Sequence, residues 1–429
     1  PTQFPAELLV RLCGFSFWCD VRRFTLPKSF DPAEFLPRYL RQRHDDARYL
    51  VSLIVTKMLT SDLDSRGCVR LTVANLRKIM HNVDCVDVIR ELVENGAIER
   101  FPYVSHVHAY GYRLHKRFVA DPLVEVPITD KQFLKRFEVR KADLQSSQND
   151  QTQERLQPIH ESLREMQNGL EIEDAAYDTL NDLPPNNGRT AAEHELWKTA
   201  QRWQIDRIKN KQFSFRIGTT GRVFNSICNL KRSLRPHLRL EGQHIKGVDL
   251  SCFQPALLAH LIQQQQSGSS SNRPHTHYDE RKVYRSVNSD KFTELVQNGE
   301  FNDFMSKEVE RYGVCIKNCK KRFLVDVLAK RGSYHSEFEE LFRKLFPDVH
   351  GFVRHFNRMN PAALIRRLQE LEAEFVIGVV SPQLRQQHPD FTFLTLHDAV
   401  FSAATPVVEQ AFDDACGHVG FKFRWKVEQ

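Results

Sequence analysis

Two apolar, strand-like runs, 149 residues apart in a chain of 429, each carry an aspartate at one end. The first is Gly247-Val248-Asp249-Leu250-Ser251-Cys252-Phe253-Gln254, continuing into Pro255-Ala256-Leu257-Leu258-Ala259-His260-Leu261. The second is Thr395-Leu396-His397-Asp398-Ala399-Val400-Phe401. Two carboxylates on adjacent strands can hold two divalent cations roughly 4 Å apart, an arrangement suited to attack on, and release of, phosphate oxygens. Magnesium fits such a pair, because it prefers a few carboxylates plus substrate phosphates to an all-protein cage. Manganese is the alternative ion.

The charge of the chain gathers around these runs. The net charge is +7, but Arg207 to Ile262 carries ten Lys or Arg against Glu241 and Asp249, a local +8. Arg311 to Ser336 carries seven against Asp326, a local +6, so the remainder is net acidic. A charge run is often only a solvated face. Here its coincidence with the aspartate runs suits a polyphosphate backbone and an incoming triphosphate.

Five short segments are collinear with the polymerase half of a family A DNA polymerase. Thr220-Gly221-Arg222 with Asn229-Leu230 resembles that family's Thr-Gly-Arg and Asn-Leu-Gln run. Asp249-Leu250-Ser251 with Leu258-Ala259-His260-Leu261 resembles motif A, and the basic stretch Lys317 to Arg331 stands where motif B is expected. Phe346-Pro347-Asp348-Val349 resembles the Tyr-Pro-Gly-Val turn, and His397-Asp398 resembles motif C. The similarity covers about residues 210 to 429, and its force lies in the order of the segments.

The resemblance implies an α+β right-hand polymerase, with a palm built on an antiparallel sheet and helical fingers and thumb. It implies Asp249 and Asp398 as catalytic residues, with Asp249, Leu250 and Asp398 as ligands of two Mg2+ ions. It assigns Ser251, Gln254, Lys317, Lys320, Lys321 and Arg322 to the nucleotide, with Lys317 and Lys321 one turn apart on a basic helix. Arg222, Asn229, Arg235 and His397 fall to the nucleic acid. Within the basic stretch, Ile316, Phe323, Leu324, Val327 and Leu328 read as the buried stripe.

Three departures bear on the choice of sugar. Gln254 stands where family A DNA polymerases carry a Glu that excludes ribonucleotides. Ser251-Cys252 with Gln254 is reminiscent of single-subunit phage-type RNA polymerases, at a different Gln spacing. Ala399 follows the motif C aspartate, where the DNA enzymes commonly have Glu. Motif B lacks a clean Tyr-Gly, with Arg331-Gly332 nearby. An amide at 254 can accommodate a ribose hydroxyl, so relaxed sugar selection is expected.

Residues 45 to 115 read as a winged helix preceding the polymerase-like part. Helical periodicity runs from Asp45 to Leu59, Cys68 to Leu71 is strand-like, and Thr72 can cap a short helix from Val73 to Met80. Asp84 can cap a second helix ending at Asn95-Gly96, before strands Ala97 to Phe101 and Ala109 to Leu114. The exposed side of that second helix bears Asp87, Glu91 and Glu94 with only Arg90, so protein docking is favoured over reading of DNA.

The sequence therefore divides into a winged-helix-like domain (1–119), a thumb-like helical region (120–206), a first palm segment (207–262), fingers (263–344) and a second palm segment (345–429). Ser146 to Glu154 and the low-complexity Gln263 to Ser271 read as loops. A chain beginning near residue 120 is expected to fold and to extend a primer.

No apolar run is long enough to cross a bilayer. Pro1 to Trp18 lacks a basic stretch leading an apolar core, so no signal peptide is expected. The nine cysteines are scattered singly and read as reduced thiols of a cytoplasmic protein.

The function expected is template-directed nucleotidyl transfer, most simply a family A-like DNA polymerase. It would act on a DNA or RNA template-primer with dNTPs or NTPs. No proofreading is expected, because the first 200 residues hold no spaced acidic set of an exonuclease. The alternatives are a primase or single-subunit RNA polymerase, a catalytically silent nucleic-acid-binding accessory of replication or defence, and a winged-helix regulator. The N-terminal domain is assigned a protein partner and the chain no membrane.

Overall fold

The computed structural model describes residues 23–60, 68–102, 109–119, 121–140, 157–185, 191–266, 287–314, 316, 318–330 and 334–428. Lys317, Arg331, Gly332, the 146–154 stretch and residues 267–271 of the low-complexity run lie outside them. The architecture is mixed α+β with small antiparallel sheets. Among the described residues no helix is long and apolar enough to cross a membrane. Two compact units divide the chain, one formed by 1–155, 172–214 and 226–237, the other by 156–171, 215–225 and 238–429.

In the first unit, the elements expected between 45 and 115 are present. Helix His44–Thr60 is followed by strand Val69–Arg70, helices Val73–Leu76 and Cys85–Glu94, and strands Ile98–Phe101 and Gly111–Leu114. The third strand lies between the other two. Thr72 caps its helix by accepting the Asn75 N–H. Asp84 does not cap; its carboxylate is taken by Arg43 at 2.7 Å and by His81.

The core of this unit does not end at residue 119. Strand Arg23–Pro27 pairs with Leu123–Pro127, and Phe133 and Phe137 are buried against Phe24 and Tyr49. Buried Asp45 accepts the Thr129 and Asp130 N–H groups at 2.7 and 2.6 Å. Arg136 donates to the Ile79 carbonyl and reaches Asp46. Buried carboxylates need such partners, so the 123–137 stretch is built into the N-terminal core. The region 120–206 is correspondingly not one body, since 156–171 belongs to the second unit.

In the second unit, a four-stranded antiparallel sheet holds the aspartate runs. Strand Lys246–Ser251 lies between Ala399–Ser402 and Arg424–Val427, with Leu394–Leu396 on the far side of Ala399–Ser402. Gly247 sits opposite Phe401, and a Cβ at 247 would lie 2.7 Å from the ring, so glycine lets Phe401 close over the strand. Helix Thr405–Val419 packs on the sheet. Phe253, Phe375 and Phe423 meet edge-on or tilted at 4.9–5.6 Å, and a second cluster joins Phe292, Phe301, Phe323, Phe342 and Phe346. Such edge-to-face contacts add to area burial and fix ring orientation.

Candidate active site

The register of the sheet brings the two aspartates together. Asp249 pairs with Ala399, the residue after Asp398, and the Leu250 N–H donates to the Asp398 carbonyl at 3.1 Å. Asp398 is the second residue of a two-residue hairpin turn between Leu396 and Ala399. The first, His397, has φ 54°, a conformation usually given to glycine in such turns. Its ring meets Phe224 edge-on at 5.5 Å, and Phe224 in turn carries the Arg216 guanidinium at 4.6 Å. Buried Asn225 donates to the Thr395 carbonyl at 2.7 Å and fastens the hairpin to strand Val223–Asn225.

On the other side of Asp249, Cys252 also has a left-handed φ of 51°, just before helix Phe253–Gln266. Asn302 donates to its sulfur at 3.1 Å, and Gly299 has φ 74°, where an added Cβ would lie 3.6 Å from Ser251 Cβ. The thiol is raised chiefly by burial, with Asn302 and Lys320 working against the rise.

A third carboxyl group joins the pair. Glu372, at the end of helix Ala363–Ala373, is 2% exposed. Its Oε2 accepts from Arg222 at 2.5 Å, while Oε1 is buried without a donor at hydrogen-bonding distance. Burial raises its pKa; Arg222 and then Gln254 oppose the rise, and Asp249 adds to it. Asp398 is pushed up to about 7, first by burial, then by the charges of Glu372 and Asp249, with Lys320 opposing. Lys426, directly across the sheet from Asp249, holds its ammonium 3.9 Å from that carboxylate.

Among the described residues no group of three or more His, Cys, Asp or Glu side chains is placed to hold a metal ion; Mg2+ can be held by one or two carboxylates together with substrate phosphates. A carboxyl raised by neighbouring acids is relieved when a cation shares them. Leu250 has a buried side chain and an engaged N–H, so its carbonyl is the atom it can contribute.

The other residues assigned from the sequence are distributed as follows. Gln254 lies in the first turn of Phe253–Gln266 and faces Glu372. Lys320 is the member of the basic group whose charge reaches Asp398. Arg322 turns to Asp326 at 3.4 Å, and Lys321 is exposed. Leu324, assigned to the buried stripe, is 39% exposed. Arg222 is held by Glu372. Asn229 and Arg235 belong to the first compact unit. Glu372 and Lys426 were not singled out from sequence. The signal for Glu372 was its place one turn after Leu368, on the apolar stripe of its helix.

The raised Asp398 makes a measurable prediction. Its folded pKa lies above the ordinary 3.8, so the folded protein binds the extra proton between about pH 4 and 7. Its contribution to stability is present below pH 4 and is lost as pH rises through 7. Asp398→Asn should therefore melt higher than the parent at pH 8 without divalent cations, by on the order of 2 kcal/mol after allowance for partial solvent access. At pH 4 the two should melt alike. A lower melting temperature for the variant at pH 8 would contradict this electrostatic picture.

A scan against models of known protein families finds no match to this chain, and a search of curated proteins finds none.

Proposed function

We propose that the chain is a template-directed nucleotidyltransferase using two divalent cations, a family A-like DNA polymerase with relaxed sugar selection and no proofreading. The observation that carries this reading is the pairing of Asp249 with the residue that follows Asp398. That register sets two carboxylates at the same end of neighbouring strands, with Lys320 beside them. On this reading the four-stranded sheet is the palm of a right hand, and 263–344 supplies fingers.

Bound cations would neutralise the triphosphate and favour ionisation of the attacking 3′-hydroxyl. Asp249 and Asp398 would hold them, with the Leu250 carbonyl. Lys320 supplies positive charge to the phosphates, and the strained His397 turn keeps Asp398 at the sheet end. Little covalent chemistry falls to the protein, so positioning and charge carry the rate.

The first-unit order of helix, strand, two helices and two strands is that of a winged helix. Its third helix, Cys85–Glu94, pairs Arg90 with Asp87 and Glu91. That leaves no basic face for phosphate, which supports a protein partner.

The test is extension of a labelled primer on DNA or RNA template, with magnesium and with dNTPs or NTPs in separate reactions. Extension is expected with magnesium and should stop with a chelator. Binding without extension by folded protein would favour a silent accessory. Gln254 favours one further reading, a primase or single-subunit RNA polymerase. Incorporation of NTPs alone would decide for it.

A further inference from the structure

Asp326 is 1% exposed and takes three donors. Tyr334 Oη donates to its Oδ1 and Ser336 Oγ to its Oδ2, each at 2.8 Å, and Arg322 Nη1 donates to Oδ2 at 3.4 Å from one turn earlier. Two of these donors are neutral hydroxyls, so the positive charge comes from Arg322. A buried carboxylate needs such partners. Yet a buried ion pair contributes little net stability compared with apolar side chains of the same volume, and packing alone does not call for one here.

The inner end of this network is fixed from several sides. Ser336 caps helix Glu337–Leu345 by accepting the Glu339 N–H at 3.3 Å. The Tyr334 ring lies under the Lys330 ammonium at 4.7 Å, and Lys330 is tied to Glu339, which also meets His350 at 3.0 Å. The Leu328 carbonyl, at the end of the π-type turn Phe323–Leu328, accepts from Asn357 at 2.8 Å. The outer end is open to solvent, because the Arg322 side chain is 55% exposed. A guanidinium carries five N–H donors in a rigid fork that matches phosphate oxygens. One bond to Asp326 therefore fixes the group and leaves donors for a ligand.

Direct contacts join this turn to the aspartate-bearing strand. Phe323, next to Arg322, meets Phe301 edge-on at 4.9 Å. Asn302, next to Phe301, donates to the Cys252 sulfur at 3.1 Å, and Cys252 is three residues after Asp249.

We propose that Asp326, pinned by Tyr334 and Ser336, is a positioning residue that holds the Arg322 guanidinium for the phosphates of the incoming nucleotide. The proposal rests on the nucleotidyltransferase reading above. Asp326 and Tyr334 touch no substrate in it; they act through Arg322.

The experiment is single-nucleotide incorporation on a pre-annealed primer by the full chain, with thermal melts in parallel. Parent, Arg322→Ala, Tyr334→Phe, Asp326→Asn and the double variant Arg322→Ala with Tyr334→Phe are compared. Arg322→Ala should raise the KM for nucleotide about tenfold with kcat little changed, the size of a hydrogen bond to a charged group. Tyr334→Phe should raise KM about threefold, again with kcat little changed, and should melt close to the parent. In the double variant Tyr334→Phe should add nothing to the effect of Arg322→Ala, as expected of residues that act as a unit. Asp326→Asn should raise KM at least as far as Tyr334→Phe. An unchanged KM in Tyr334→Phe, or the same threefold rise when Arg322 is already absent, overturns the proposal, since a merely structural network acts whether or not the guanidinium is there. If Asp326→Asn fails to fold, Tyr334→Phe decides, because it removes one hydroxyl from a 43% exposed residue and keeps the ring. A parent that extends with neither nucleotide removes the nucleotidyltransferase reading, and this proposal with it.

Discussion

Asp249→Ala and Asp398→Ala should each abolish nucleotide addition while leaving the protein folded. Asp249 has a 23% exposed side chain, with the Lys426 ammonium 3.9 Å away. Its removal opens no core. Asp398 is held near two other acids and gives up stability when ionised, so its loss should not unfold the protein. On the proposed reading each variant lacks one of the two carboxylates that would hold the cations. The loss expected is at least about 10³-fold, on the order of 4 kcal/mol of barrier. Primer extension with magnesium, beside circular dichroism and a melt, measures both halves of the statement. Extension by either variant within a few-fold of the parent rate would remove the two-cation assignment.

The aspartate runs were legible because a strand and a hairpin are written locally. Period-two alternation marks the strands, and the two-residue turn marks where the chain reverses. Glu372 was not legible for the opposite reason. It lies in Leu368-Gln369-Glu370-Leu371-Glu372-Ala373-Glu374, where three acids look like a solvated face. Only the partner, Arg222, 150 positions earlier, distinguishes the buried one. The basic stretch was legible in part: Phe323, Val327 and Leu328 are buried and Ile316 packs against the core, but Leu324 is exposed. A 3.6-residue period counted from Lys317 assumes one regular helix. The helix instead starts at Cys319, capped by Asn318, and widens to a π-type turn over Phe323–Leu328. The change of pitch turns Leu324 outward and buries Asp326 at 1% exposure, where Tyr334 and Ser336 each donate to it at 2.8 Å.

A chain beginning near residue 120 should fail to fold its N-terminal remainder, contrary to what the sequence suggested. Winged-helix periodicity ends near Leu114, and nothing local announces that the strand after it returns to the start of the unit. Yet Leu123–Pro127 pairs along its whole length with Arg23–Pro27. Removing 1–119 leaves that strand without its partner and Phe133, fully buried, without Phe24 and Tyr49. Helix Ala191–Lys209 loses His44–Thr60 and Lys116–Val119, against which it packs. Exposing a buried aromatic costs about 1.5–3 kcal/mol. Two phenylalanines and one helix face together approach the 5–15 kcal/mol that holds a typical domain folded. The truncated protein should aggregate or bind a hydrophobic dye, and its 120–140, 191–214 and 226–237 stretches should be cut early by protease. A soluble product with the parent's cooperative melt and undiminished extension of a pre-annealed primer would show that these contacts are dispensable and that the edge of the unit does lie at 119.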